Sequence, residues 1–145
     1  MMTQLLIGHD KEVAEWVREQ IGLSDFGLCT AIGVLKDNKL ICGVVYNNYM
    51  KSPQGVPISI EMSIAAIDKA WCTRYNIHTL FVYPFIQLNV KRVQTTCPAD
   101  NPRIRAFNER FGFKLEGIGR EAWPLGGDCA CYSLLKHECK WIEYG

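Results

Sequence analysis

The chain of 145 residues carries 16 Lys and Arg against 15 Asp and Glu, which gives a formal net charge of +1 at pH 7. Apolar residues make up 48% of the sequence and charged residues 21%, a globular composition that excludes a disordered chain. The nearly neutral charge also excludes a protein that coats nucleic acid through bulk positive charge. We expect one domain spanning residues 1–145, because two domains in this length would each be marginal.

Hydrophobic periodicity predicts a helix and a hairpin in the first third of the chain. Apolar side chains at helical spacing predict an amphipathic helix over residues 10–21, and Gly22 is suited to end it. Two β-rich runs follow at residues 29–36 and 39–49. The pair Asp37-Asn38 between them is a tight-turn signal, so we expect the two runs to form a β-hairpin.

The strand predicted over residues 58–66 has a carboxylate near its centre. Alternation along this strand directs the apolar side chains to one face and Ser59, Glu61 and Ser63 to the other. Glu61 is therefore a charged group on an otherwise small and polar face. Residues 67–76 are expected to form a loop or turn.

The second half of the chain predicts two more helices and three strands. A helix is predicted over residues 76–89, where Pro84 should kink or shorten it, and a strand over residues 90–97. The pair Asn101-Pro102 suits the start of a helix, because Asn is a good N-cap and Pro a good first helical residue. Gly112 suits the left-handed end of that helix.

Two final strands, near residues 113–123 and 129–136, are joined by a turn at Gly126-Gly127. The predicted order is α-ββ-β-α-β-α-ββ. It favours an α/β fold in which helices cover both faces of a mixed central sheet.

The segment NPRIRAFNERFGFKLEG at residues 101–117, followed by Arg120, resembles the late signature of the GNAT N-acetyltransferase superfamily. The likeness is greatest to the branch that acetylates ribosomal proteins and small amines. The stretches IEMSIA at 60–65, YPF at 83–85 and LLK at 134–136 also look like small GNAT-like proteins of phages and prophages. The resemblance implies the GNAT fold and transfer of an acetyl group from acetyl-CoA to a primary amine of a small molecule or protein.

The resemblance also implies where coenzyme A would bind. Members usually carry a glycine-rich loop before the central helix, but the matching stretch AWCTRYN at 70–76 has no glycine. The charge of Arg74 and the hydroxyl of Thr73 are the expected substitutes. The alternative is a degenerate loop in a protein that no longer binds the cofactor. The implied cofactor-binding residues are Ile64, Ala65, Thr73, Arg74, Asn76, Asn101, Arg105 and Asn108.

Acetyl transfer requires an acceptor amine that has lost its extra proton, and Glu61 resembles the strand carboxylate that some members use as the base. The alternative is that Glu61 orients the substrate or pairs with an arginine. Members usually carry a Tyr as general acid four residues before the helix-ending glycine, where this chain has Asn108. Tyr83 and Tyr132 are the candidate replacements, and water is the other proton source.

The seven cysteines are an odd number, which favours free thiols and a reducing cytoplasm, that of the bacterial host if a phage encodes the chain. The group formed by Cys129, Cys131, His137 and Cys139 lacks zinc-site spacing, so no metal is expected. No apolar stretch is long enough to span a membrane, and the N-terminus does not look like a signal peptide.

Several cations cluster around one predicted strand and helix. They would form a solvated face, or contact either the nucleotide end of coenzyme A or nucleic acid. These residues are Lys91, Arg92, Arg103, Arg105 and Arg110. Because phage GNAT-like proteins of the Mom type modify DNA bases, DNA modification is the alternative function, and a non-catalytic binding module is a third. A small-molecule or peptide amine is favoured over DNA.

Apolar side chains in the C-terminal tail, Trp141, Ile142 and Tyr144, suggest that the tail folds back or meets a partner. The choice between a monomer and a homodimer therefore stays open, as does the identity of the acceptor.

Overall fold

Residues 2–143, which the computed structural model describes, form a sheet of seven strands in the order β1-β2-β3-β4-β5-β7-β6. The strands are β1 (Gln4–Ile7), β2 (Cys29–Lys36), β3 (Lys39–Lys51), β4 (Pro57–Ala66), β5 (Arg92–Pro98), β6 (Lys114–Gly119) and β7 (Cys129–Leu135). The helices are α1 (Asp10–Ile21), α2 (Arg74–Val82) and α3 (Pro102–Arg110). The predicted α/β class, mixed sheet and helices on both faces are confirmed.

Strands β4 and β5 are parallel, but they stay paired over only three positions. The paired positions are Ser59 with Arg92, Ile60 with Val93, and Glu61 with Gln94. Beyond Glu61 and Gln94 the two strands separate. We call the resulting gap, between residues 62–66 and residues 95–98, the notch. Its two edges carry backbone groups with no partner across the gap.

Helix α1 covers one face of the first strands, while α2 and α3 lie on the other face. Val13 and Val17 of α1 pack with Val45 of β3 and Ala65 of β4 in one apolar cluster. The larger cluster on the opposite face joins α2 and α3 to β3, β4, β5 and β7. The two faces of the sheet are therefore covered by different helices.

Helix α1 approaches the sheet closely because Gly33 and Gly43 lie beneath it as cross-strand partners. A Cβ added to Gly43 would lie 2.5 Å from Val17 Cγ2 and 3.1 Å from Val13 Cγ1. Both valines are fully buried and have stiff, branched side chains.

We expect Gly43→Ala to lower the free energy of unfolding by about 1–3 kcal/mol, because the added methyl group overpacks this contact. Urea unfolding followed by circular dichroism measures the change. Gly117→Ala is the matched control, since a Cβ there would meet no atom within 4 Å. Equal stability of the two variants would contradict the overpacking argument.

Several element boundaries differ from those predicted. The short edge strand β1 was not predicted, the predicted loop over residues 67–76 contains a 3₁₀ turn at Lys69–Trp71, and α2 begins at Arg74. Thr73 is the N-cap of α2, because its hydroxyl accepts a hydrogen bond from the Asn76 N–H at 3.1 Å. The last two strands are shorter than predicted, since residues 120–128 form their connection.

Pro84 changes the helix without ending it. The chain continues through a π-helical turn at Tyr83–Gln87, in which the Leu88 N–H bonds to the Tyr83 carbonyl. A proline cannot donate to the carbonyl four residues earlier, which here belongs to Leu80. The hydroxyl of Tyr46 donates to that carbonyl at 2.6 Å, so the lost bond is replaced from the sheet.

Candidate active site

Glu61 lies at the apex of the notch, on the face of the sheet that carries α1. It is half-buried, and its Oε2 accepts a hydrogen bond from Asn48 Nδ2 at 3.0 Å. Asn48 can reach it because β3 is irregular between Asn47 and Met50, and Asn48 itself has a left-handed φ of 55°. A strand irregularity of this kind redirects a side chain. The carboxylate of Glu61 is thereby held in one orientation.

On the opposite face, the notch borders an apolar cavity of about 40 Å³ between the sheet, α2 and α3. Ile64 of β4 and Asn108 of α3 both line it, and both are among the residues that the resemblance implied for cofactor binding. Asn108 is buried, and its Nδ2 donates to Cys97 Sγ at 3.7 Å. Ala65 belongs to the α1 cluster and so faces away from this cavity.

Trp71 fills much of the space beside that cavity. Its ring lies 6.0 Å from the Phe111 ring and 6.2 Å from the Phe107 ring, measured between centroids. Only 5% of Trp71 is exposed. The position of Trp71 could not be predicted, because a lone Trp in a predicted loop carries no signal of its packing.

The N-terminus of α2 is exposed to solvent at Thr73 and Arg74. Asn76 is buried instead, and its side chain donates to the Trp71 carbonyl at 2.9 Å and to Thr3 Oγ1 at 3.0 Å. Asn76 therefore ties the loop to the N-terminal segment, while Thr73 and Arg74 are the side chains that a ligand can reach.

Tyr132 is held by two side chains of α3. Its hydroxyl accepts from Arg105 Nε at 3.0 Å and donates to Glu109 Oε2 at 2.9 Å. Burial raises the pKa of Tyr132, and the hydrogen bond from Arg105 opposes that shift. Arg105 also donates to the Ala99 carbonyl at 3.2 Å. Asn101 is the N-cap that the sequence predicted, since its Oδ1 accepts the Ile104 N–H at 3.1 Å.

Tyr83 lies away from Glu61. Its hydroxyl is 2.9 Å from Thr30 Oγ1 on β2, and its ring packs edge-on against Tyr46. It borders a separate groove of about 590 Å³ between α2 and the edge formed by β1 and β2. Tyr83 and Glu61 are thus on opposite faces of the sheet, and the structure does not bring them together.

Three of the five cations that were expected to form a solvated face or a contact surface have different neighbours. Arg92 donates to Glu116 from both terminal guanidinium nitrogens and to Gln94 Oε1 from Nε at 3.2 Å. The pairing with Arg92 lowers the pKa of Glu116 to about 2. Arg105 binds Tyr132, as described above. Burial raises the pKa of the Cys72 thiol in the loop before α2, and the positive charge of Arg110 opposes that shift.

The seven cysteines all have free thiols. Within residues 2–143, no group of three or more His, Cys, Asp and Glu side chains is arranged to hold a metal ion. Over the same residues, no helix is long and apolar enough to cross a membrane. In the tail, Trp141 folds back and donates its indole N–H to the Phe111 carbonyl at 2.9 Å, whereas Tyr144 lies outside the described residues.

Comparison with known proteins identifies relatives of this chain. No family model matches it. It is 30% identical over 134 residues to the putative ribosomal N-acetyltransferase YdaF of Bacillus subtilis, an alignment that covers 87% of this chain and 68% of that protein.

Two solved structures share the fold. A mutant of the spermidine N-acetyltransferase SpeG from Vibrio cholerae matches with a TM-score of 0.74 and 16% identity, over 97% of this chain and 96% of its own. A ribosomal-protein-S5-alanine acetyltransferase from Vibrio fischeri matches with a TM-score of 0.68 and 14% identity, over the same shares of the two chains.

Proposed function

This chain belongs to the GNAT acetyltransferase superfamily, and we propose that it transfers the acetyl group of acetyl-CoA to a primary amine of a small molecule or protein. The observation that carries the proposal is the arrangement around the notch. The carboxylate of Glu61 lies at the apex on one face, while the exposed N-terminus of α2 and an apolar cavity lie on the other. The two substrates would then meet at the notch from opposite faces.

The residues of this chain fit coenzyme A at its phosphate end. The positive end of a helix dipole, the hydroxyl of Thr73 and the guanidinium of Arg74 together favour an anion. The edges of the notch offer backbone groups suited to the two amides of the pantetheine arm. When bound, acetyl-CoA supplies a thioester whose acetyl group is ready for transfer.

The cavity beside the notch must widen to admit that arm. Its volume of about 40 Å³ leaves room for only a few water molecules. Trp71 and Phe107 are the lining side chains that separate the loop from α3. We propose that Trp71 shifts when the cofactor binds.

The chemical role of the protein is to remove a proton from the acceptor and to hold both substrates in place. Glu61 takes that proton, and Asn48 fixes the orientation of its carboxylate. Tyr83 and Tyr132, the general acids suggested by the sequence, are engaged with Thr30 and with Arg105 and Glu109. In the proposal, the amine nitrogen forms the new C–N bond as the thioester C–S bond breaks, and solvent water carries the second amine proton to the departing thiolate.

A primary amine is favoured over DNA as the acceptor. Arg92 pairs with Glu116 and Arg105 with Tyr132, so two of the five cations are already engaged with protein side chains. The names of the similar proteins also favour an amine acceptor, because they refer to acetylation of ribosomal proteins and of spermidine. A non-catalytic module is disfavoured because it would not require an oriented carboxylate at the notch.

We also propose that residues 1–145 act as one domain, that the chain is encoded by a phage or prophage, and that it works in the cytoplasm of the host. The continuous sheet supports the first point, the stretches at 60–65 and 83–85 the second, and the free cysteines the third.

Calorimetry with acetyl-CoA, followed by mass spectrometry of a panel of primary amines, tests the proposed function. The panel contains spermidine, a peptide with N-terminal alanine and a peptide with an internal lysine. We expect binding, and a mass increase of one acetyl group on at least one acceptor. A protein that binds no acetyl-CoA would overturn the proposal.

We expect Arg74→Ala to weaken acetyl-CoA binding by about 1.5–3 kcal/mol, the usual contribution of a hydrogen bond to a charged group. Isothermal titration calorimetry measures the change. Lys11→Ala on α1 is the matched control, because it removes one positive charge from a helix on the opposite face of the sheet. Equal affinities of the two variants would remove Arg74 from the phosphate site.

A further inference from the structure

Asn47 has a buried carbonyl oxygen with no hydrogen-bond donor. Its side-chain Nδ2 donates to the Phe26 carbonyl at 3.2 Å, which fixes the direction of the amide. The residue is 8% exposed, and among the described residues its Oδ1 is the one buried side-chain polar atom without a partner. Buried acceptors are nearly always satisfied, so this oxygen calls for an explanation in terms of a missing donor.

The oxygen lies beside the proposed base. Asn47 is the direct cross-strand partner of Glu61, and both side chains are on the α1 face. Gln94 is the partner of Glu61 on the other side, at the last paired position of β5. Its Oε1 already accepts a hydrogen bond from Arg92 Nε at 3.2 Å, which leaves one lone pair of this oxygen for a further donor. Three neighbouring strands thus present amide and carboxylate oxygens at the same level of one face. Asn48 donates its hydrogen bond to Oε2 of Glu61. The other carboxylate oxygen, Oε1, is then the one that can accept a hydrogen bond beside Asn47 and Gln94.

We propose that Asn47 binds the acceptor by accepting one N–H of its ammonium group, and that the row formed by Asn47, Glu61 and Gln94 selects primary amines. This inference rests on the proposed function and adds the acceptor-binding residue. A primary ammonium has three N–H donors on nitrogen, and oxygen atoms on three adjacent strands are suited to receive them. Glu61 takes one proton, and Asn47 keeps its hydrogen bond to the neutral amine that attacks the thioester.

Asn47 Oδ1 is buried, so the acceptor reaches it only after neighbouring groups move. The segment at residues 22–28 is one such neighbour of Asn47, because the Phe26 carbonyl in it accepts the hydrogen bond from Asn47 Nδ2. Entry of the amine from the Glu61 side then satisfies the orphaned oxygen. Asn47 thereby has two separable roles, since Nδ2 holds the segment and Oδ1 binds the acceptor.

Two variants separate these roles. Asn47→Leu removes both groups, whereas Asn47→Asp keeps an oxygen at Oδ1 and loses the donor to Phe26. We expect Asn47→Leu to raise KM for the acetylated amine by about 10–100-fold with kcat within about 3-fold of wild type. We expect Asn47→Asp to keep KM within about 3-fold of wild type. If Asn47 only anchors the segment, Asn47→Asp will be as impaired as Asn47→Leu, and the proposal is overturned.

A second measurement tests selectivity for primary amines. The acceptor acetylated most rapidly in the panel is compared with its N-methyl counterpart, and wild type is expected to prefer the primary amine by about 10-fold or more. Asn47→Leu should reduce that preference. The contrary result is that Asn47→Leu leaves both the preference for the primary amine and KM unchanged. That result, even with a lower free energy of unfolding, would show that Asn47 Oδ1 has only a structural role or binds water.

Controls keep this inference distinct from the proposed function. Calorimetry should give the same acetyl-CoA affinity for wild type and both Asn47 variants. Gln54→Leu, a polar-to-apolar change in the turn after β3, should leave both KM values unchanged. A wild type that binds no acetyl-CoA defeats the proposed function. A wild type that binds it but acetylates no amine of the panel overturns the primary-amine assignment.

Discussion

Glu61→Gln is expected to lower the rate of amine acetylation by roughly 10²–10⁴-fold at pH 7, the usual contribution of a positioned general base. The substitution keeps the shape of the side chain and its hydrogen bond to Asn48 through the remaining oxygen. Acetyl-CoA affinity should stay within about 2-fold of wild type, because Glu61 lies on the face opposite the proposed cofactor cavity. Steady-state kinetics and calorimetry provide the two measurements.

The pH dependence of this variant gives an independent check. An α-amino group titrates near ~8 and a lysine amine near ~10.4, so most acceptor molecules are protonated at neutral pH. Without Glu61, the rate should rise steadily with pH as the amine loses its proton unaided. Glu12→Gln on α1 serves as the control for loss of a carboxylate. Full activity of Glu61→Gln from pH 6 to pH 9 would assign Glu61 a structural role.

Trp71→Ala is expected to lower the free energy of unfolding by about 3–5 kcal/mol, as for other buried aromatic residues replaced by Ala. The side chain packs against Phe107 and Phe111 and is almost fully buried, so its removal leaves an unfilled space. Urea unfolding followed by circular dichroism measures the loss. Trp123→Ala, in the connection between β6 and β7, is the matched control and should cost less.

The same variant tests the proposed widening of the cavity. If Trp71 blocks the pantetheine arm, its removal should strengthen acetyl-CoA binding while it weakens the fold. In wild type, acetyl-CoA should change the tryptophan fluorescence, and Trp71→Ala should lose most of that change. Weaker binding by Trp71→Ala would show that the ring supports the bound cofactor and does not obstruct it.

Local signals allowed much of the fold to be predicted. Helix α1, the hairpin of β2 and β3, and the start of α3 follow from periodicity, the Asp37-Asn38 turn and the Asn101 cap, all of which act over a few residues. Strand β1 was missed because four residues with exposed ends carry little pattern. The π-helical turn depends on Tyr46, which is remote in sequence from Pro84.

The candidate site could be predicted only in part, for the same reason. Glu61 was found because a charge within an apolar alternation is visible in one strand. Asn47 and Gln94 could not be predicted as site residues, because they lie beside Glu61 only through the order and register of the strands. Order and register bring together segments that are far apart in the chain. The positions of Tyr83 and Tyr132 likewise depend on packing, and chemistry alone could not show that their hydroxyl groups are engaged elsewhere.

The short pairing between β4 and β5 also affects how the protein holds together. Within the described residues, these three positions are the seam between an antiparallel block of four strands and another of three. A ligand that forms hydrogen bonds to both edges of the notch would connect the two blocks and stabilise the sheet at that seam. Cofactor at a hundred times its Kd would add about 2.7 kcal/mol to stability. Resistance of the folded protein to proteolysis would then follow the acetyl-CoA supply, so the protein's lifetime would report on the metabolic state of its cell.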